Sequence, residues 1–234
     1  MPRSPTRARS DGFRRFVRSR LLRLAMMGRT YPVDPGFGRG HGTPVDRYYI
    51  ERFLAKNAAS VTGRVLEVGD AEYTERFGTG VTTSDILNFT QGAPGATIVA
   101  ELSSCPQIPS GSFDCIILTQ TLHYIYDMEA AVGELHRILA PGGRLLCTVP
   151  GISQVSRFDM EHWGDRWRLT SLSARELFAT AFDPEDVGVT TWGNALSSVF
   201  FLEGIVAERL RPCELDASEE DYELLVTVVA TKAR

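Results

Sequence analysis

From residue 65 to residue 149 the chain alternates short apolar runs with stretches of helical period, and this alternation limits the possible folds more than any other feature. Val65–Val68, Val81–Ser84, Thr97–Ala100, Phe113–Thr119 and Arg144–Val149 read as five buried strands. Met128–Leu139 reads as a helix with Ala131, Val132, Leu135 and Ile138 on one stripe, stopped by Pro141-Gly142-Gly143. A helix over about Pro44–Ala59 precedes the first strand, with Tyr48, Tyr49, Ile50, Phe53 and Leu54 on its apolar side. Further on, Ser171–Ala181 reads as a helix capped by Ser171 or Ser173, and Val187–Trp192 as a sixth strand. Ala195–Arg211 reads as a helix and Tyr222–Thr231 as the last strand. Strands separated by helices require a mostly parallel sheet covered on both faces, so the expected class is α/β.

Charge divides the chain in two. Nine of its 25 Lys and Arg lie within residues 1–29, against one acid, Asp11; the rest carries 16 basic and 28 acidic residues. Phe13, Phe16, Val17, Leu21 and Leu24 recur at helical spacing among those arginines. This reads as a basic amphipathic helix, either solvated and docked or a site for an anionic partner or membrane surface. Residues 28–44 hold five Gly and three Pro, a loop signal. The expected organisation is a basic extension and Gly/Pro loop over 1–43 and one domain over 44–234, with a polar, aromatic insertion at 150–170. The acidic body excludes a surface that grips nucleic acid along its length. Cysteines stand at 105, 115, 147 and 213, without CxxC spacing or a His cluster, so no metal site is expected. Reduced thiols in the cytoplasm are the simple reading. No apolar run reaches the ~18–20 residues needed to cross a bilayer. The oligomeric state is left open.

Open α/β sheets bind ligands beyond the carboxyl ends of their strands. The first three strands end in Glu67-Val68-Gly69, Ser84-Asp85-Ile86 and Ala100-Glu101-Leu102, and the fourth is followed by Gln120-Thr121-Leu122-His123-Tyr124. Three acids in register point to a nucleoside-bearing ligand that carries positive charge.

These residues resemble the class I S-adenosylmethionine-dependent methyltransferases. Val65-Leu66-Glu67-Val68-Gly69 is similar to the start of their first motif, Ser84-Asp85 to the ribose-binding acid, and Glu101-Leu102 with Ile108–Asp114 to the segment framing adenine. Arg137-Ile138-Leu139-Ala140-Pro141-Gly142-Gly143 is similar to their R-x-L-x-P-G-G helix end. The resemblance covers about 61–150. It implies a Rossmann-like seven-stranded sheet, mostly parallel with an antiparallel last strand and helices on both faces. It also implies S-adenosyl-L-methionine as cofactor, held by Glu67, Gly69, Tyr73, Asp85, Ile86, Glu101, Leu102 and Gln120. One departure stands out: the glycine-rich continuation of the motif is replaced by Asp70-Ala71-Glu72-Tyr73-Thr74. Either another group, Tyr73, Thr74 or Arg76, anchors the cofactor carboxylate, or the chain has stopped using the cofactor. The run from Glu67 to Gly78 is similar to bacterial enzymes of surface-sugar and natural-product pathways.

On the acceptor side, His123 and His162 are each either a catalytic base or a structural histidine. Tyr48 opens a helix that either lids the cofactor or packs. Tyr124, Trp163, Trp167 and Arg168 are the candidate acceptor contacts, Trp167-Arg168-Leu169-Thr170 being similar to a W-R-x-T stretch of sugar-pathway methyltransferases. The expected activity is methyl transfer to a small molecule, at oxygen rather than nitrogen. A cyclisation on the same fold, or cofactor binding without catalysis, are the competing readings.

Overall fold

The computed structural model describes residues 29–234. The basic segment 13–27 lies outside them. Seven strands form one sheet in the order β3-β2-β1-β4-β5-β7-β6. They are β1 (Gly63–Val68), β2 (Val81–Asn88), β3 (Ile98–Val99), β4 (Phe113–Thr119), β5 (Leu139–Pro150), β6 (Val187–Trp192) and β7 (Leu225–Thr231). β7 runs antiparallel to both its neighbours, β5 and β6, while β1 to β5 pair in parallel. The expected sheet is therefore the observed one.

The strands alternate their burden between two cores, as a period of two dictates. Leu66, Ile116, Leu118, Leu145 and Cys147 face one core, closed by α3 (Met128–Ile138) and α5 (Ser171–Phe178). Val65, Cys115, Ile117 and Leu146 face the other, closed by α1 (Val45–Lys56), α2 (Glu72–Phe77) and α6 (Ala195–Leu202). Two short helices, α4 (Arg157–His162) and α7 (Pro212–Asp216), lie in connections.

Four local expectations need correction. β2 does not end at Ser84 but runs on to Asn88, because Asp85 inside it is neutralised from the next strand by Arg64 at 2.8 Å. The helix does end before Pro141-Gly142-Gly143, at Ile138, but β5 starts at Leu139 rather than Arg144 and takes these three residues into the sheet; Gly142 takes φ +80 and its amide donates to Lys232 O. The cap of α5 is Thr170, in a reciprocal box with Ser173, rather than Ser171 or Ser173 alone. The helix expected over 195–211 stops at Leu202, because Gly204 turns at φ +66 where a Cβ would stand 1.9 Å from Asp34 O.

That contact is part of a strap. The amide of Asp34 donates to Glu203 O, that of Val33 to the Glu203 carboxylate, and that of Ala207 to Thr43 O. The Thr43 hydroxyl donates to Glu208, and Phe37 packs on Phe201 with ring centroids 5.6 Å apart. The Gly/Pro loop is thus laid across the carboxyl end of the sheet.

Candidate active site

β1 ends in Glu67-Val68 and turns at Gly69, φ +104. The chain then enters α2 with its amides already engaged. Asp70 Oδ1 accepts from the Glu72 amide at 2.9 Å. The Glu67 carboxylate accepts from the Tyr73 amide at 3.1 Å, the Thr74 amide at 2.7 Å and the Thr74 hydroxyl at 2.7 Å. Glu67 is a buried cap for this helix. Burial raises its pKa, and the Thr74 and Tyr73 hydrogen bonds hold the rise in check.

The strand ends open on a cleft of 1310 Å³. Of the residues expected to hold a cofactor, Glu67, Gly69, Tyr73, Glu101, Leu102 and Gln120 line it. Gly69 has open space where a Cβ would stand, so backbone approach is unobstructed. Gln120 takes φ +46, a strained conformation for a side-chain-bearing residue, with its amide fixed on Thr148 O.

Asp85 and Ile86 do not line the cleft. Asp85 lies opposite Leu66, short of the end of β1, and its carboxylate is engaged by Arg64 and by the Thr97 hydroxyl at 2.9 Å. The Ile86 amide is paired with Thr97 Oγ1. The extension of β2 puts Leu87, Asn88 and Phe89 at the rim instead. Asn88 Oδ1 accepts from the Thr90 amide, which holds the loop in place. The three acids in register therefore do not all converge: Glu67 caps α2 at the cleft, Asp85 pairs with Arg64 away from it, and Glu101 lies exposed on the cleft lining beside Ser103.

Of the residues expected on the acceptor side, His123, Tyr124, His162, Trp163 and Arg168 line the cleft. Tyr48 and Trp167 stay outside. The Tyr48 hydroxyl donates to Asp216 and accepts from Arg52, on the flank of α1 turned away from the cleft. Trp167 Nε1 donates to Ile125 O and the ring packs on Tyr126, anchoring the 150–170 segment. Arg168 is committed to Asp165 through both Nη atoms, at 2.5 and 2.8 Å. Burial opposes ionisation of Asp165, but these bonds and the Ser156 amide outweigh it and hold its pKa low.

His123 is 5% exposed; its Nε2 lies 3.9 Å from Asp165 and its buried Nδ1 has no hydrogen-bond partner among the described residues. Burial lowers its pKa to about 4 against the raising effect of Asp165, so the ring is neutral at ordinary pH. Its carbonyl accepts from the Arg166 and Trp167 amides, which stitches the end of β4 to the insertion. His162 is the contrary case. It is exposed, stacks on Phe158 at 4.1 Å, and its Nδ1 pairs with Phe158 O at 2.7 Å. As a carbonyl only accepts, Nδ1 is the donor in this pair. Tyr124 is half-buried with its hydroxyl bonded to Asp159; both effects raise its pKa well above the phenol range.

Three groups escaped sequence reading: Arg39, Asp46 and Arg47, all on the cleft wall. They belong to the Gly/Pro loop and the first turn of α1, where no strand end points. The carboxyl of Asp46 is raised by burial, against the Arg47 amide and the Arg39 charge. Among the described residues there is no cluster of three or more metal-ligating side chains and no helix long and apolar enough to cross a membrane.

Residues 52–147 match a family described as "Methyltransferase domain". A demethylmenaquinone methyltransferase of Thermus thermophilus is 47% identical over 38 residues, which is 16% of this chain and only 17% of that enzyme. Among solved structures, the cyclase SpnF superposes with a TM-score of 0.53 at 17% identity, over 83% of this chain and 84% of that one. The N-methyltransferase NodS of Bradyrhizobium japonicum, solved with S-adenosyl-L-homocysteine, gives 0.51 at 15% identity, over 84% and 91%. At such identities the structures speak for the fold alone, and the family match speaks for the motifs within it. Together they show a methyltransferase-domain match over residues 52–147, seated in a fold shared with these structures.

Proposed function

We propose that this protein transfers a methyl group from S-adenosyl-L-methionine to a hydroxyl of a small molecule, a sugar or natural product with a ring or apolar body. The donor set fits the cofactor: a glycine free for backbone approach, Asn88 at the second strand end, Glu101 and Leu102 at the third, and apolar Ala100 beside them. When bound, the cofactor supplies an electrophilic methyl group on a sulfonium. The observation that carries the oxygen reading is His162. Its Nδ1 proton is held by Phe158 O, leaving Nε2 to take the proton from an acceptor hydroxyl. An amine acceptor would not need such a base.

Phe158 and Trp163 flank this histidine, and Tyr126 lines the same cleft. Phe158 is 57% and Tyr126 76% exposed, with Trp163 beside them. Rings at a cleft mouth suit stacking on a flat or apolar acceptor and exclude water from the transfer. Arg168 braces the wall through Asp165 rather than contacting the acceptor, and His123 stays neutral inside the same wall. We take residues 44–234 as the catalytic domain and 150–170 as its acceptor-side part. The buried, unpaired Cys105, Cys115 and Cys147 suit a reducing cytoplasm.

The test is methyl transfer from labelled cofactor to a panel of hydroxylated acceptors, with wild type and His162→Gln. Loss of a positioned base predicts a fall in kcat of about 10²–10⁴-fold with cofactor affinity unchanged. Cofactor binding without transfer to any acceptor favours the cyclisation reading. Transfer unaffected by His162→Gln removes the base assignment.

A further inference from the structure

The start of α2 poses a problem for any ligand with a carboxylate. In a glycine-rich loop, free amides at a helix start take an anion. Here the amide of Glu72 is held by Asp70, and those of Tyr73 and Thr74 by Glu67. A ligand carboxylate would therefore meet two carboxylates and no free first-turn donor. The side chains nearby do not help. Tyr73 is buried and stacked on Phe77, and the Thr74 hydroxyl already donates to Glu67. Arg76 is paired with Glu51, lies over Phe77, and is absent from the cleft lining.

Arg47 is placed differently. It sits in the first turn of α1, lines the cleft, and lies over the Tyr73 ring at 5.8 Å from its centroid. Its Nη2 donates to Glu72 and its Nε is 3.5 Å from Glu51, so it is braced against the same helix start whose amides are taken. A guanidinium has five donors in a rigid fork, and the bond to Glu72 uses one. Arg39, the other cation of this wall, stands within electrostatic reach of both Asp46 and Tyr124.

We propose that Arg47, rather than the backbone after β1, binds the carboxylate of the cofactor's amino-acid end. The proposal rests on the cleft being the cofactor site, and the experiment separates the two. Calorimetry on the full chain compares S-adenosylhomocysteine with methylthioadenosine, which lacks the amino-acid part. Arg47→Met should weaken the first roughly ten- to hundredfold, as expected for a lost charge-assisted pair, and leave the second within about twofold. Equal loss for both ligands, or loss for neither, overturns it. Wild type binding neither ligand overturns the cofactor site itself, and the proposal with it. Should Arg47→Met fail to fold, Arg47→Lys keeps the charge beside Glu72 but not the fork. It should then weaken S-adenosylhomocysteine alone, by roughly three- to tenfold; no selective loss refutes the assignment.

Discussion

Acid should loosen this fold through one histidine. His123 is buried with Nδ1 unpartnered, and its pKa falls from the ordinary 6.5 to about 4. Between those values the unfolded chain holds a proton on this ring and the folded chain does not. The unfolded state binds more protons, so stability must fall as pH drops through that window. With those two pKa values, going from about pH 7.5 to about pH 5 costs about 2 kcal/mol, and the full shift is worth about 3 kcal/mol. Asp165, at 3.9 Å, moderates the effect but does not reverse it. The assay is urea unfolding of wild type and His123→Phe across that range. Phe keeps a ring against Tyr124, whose centroid is 3.9 Å away, and cannot titrate. Other groups act on both proteins alike, so wild type should lose about 2 kcal/mol more than the variant over that step. Parallel pH profiles would refute the reasoning.

Three further outcomes are expected. Asp85→Ala should cost about 1 kcal/mol of stability through the lost Arg64 pair and leave cofactor affinity unchanged, whereas Asn88→Ala should weaken affinity; calorimetry beside thermal melts checks both. Glu67→Gln turns an amide donor towards either the Tyr73 or the Thr74 amide and should cost about 1–3 kcal/mol in urea unfolding. Gly204→Ala forces a Cβ against Asp34 O at positive φ and should cost about 2 kcal/mol, read as a lower Tm.

The sheet was legible because each strand's apolar period is a local property, set by which core it faces. Asp85 misled because its meaning is not local. A carboxylate after four β-branched or small polar residues looks like a strand end; only Arg64, on the neighbouring strand, makes it a strand interior. Pro141-Gly142-Gly143 does mark the end of α3, but its place within the sheet depends on Lys232, one residue past the end of β7, which exchanges backbone hydrogen bonds with it. The cleft's floor could be read from the strand ends, and Glu67, Gly69 and Glu101 do line it. Its wall at Arg39, Asp46 and Arg47 could not. Those residues come from a loop and the helical turn that follows it, and the loop is tied down by Glu203 and Glu208, more than 150 positions away. Tyr48 and Tyr49 are adjacent and equally apolar in pattern, yet only Tyr49 is buried, its hydroxyl on Leu215 O.

The strap across the sheet joins residues 170 and 165 positions apart, Val33 to Glu203 and Thr43 to Glu208. Contacts of such separation form last, because the loop they close must be ordered first. During synthesis, β1 to β5 can pair while the cleft still lacks a roof. The roof closes only after residue 208 has left the ribosome, so the growing chain acquires its scaffold well before it can retain a ligand. Hydrogen exchange in the finished protein should keep the same order, with the amides of Asp34 and Ala207 opening before those of β1 and β4.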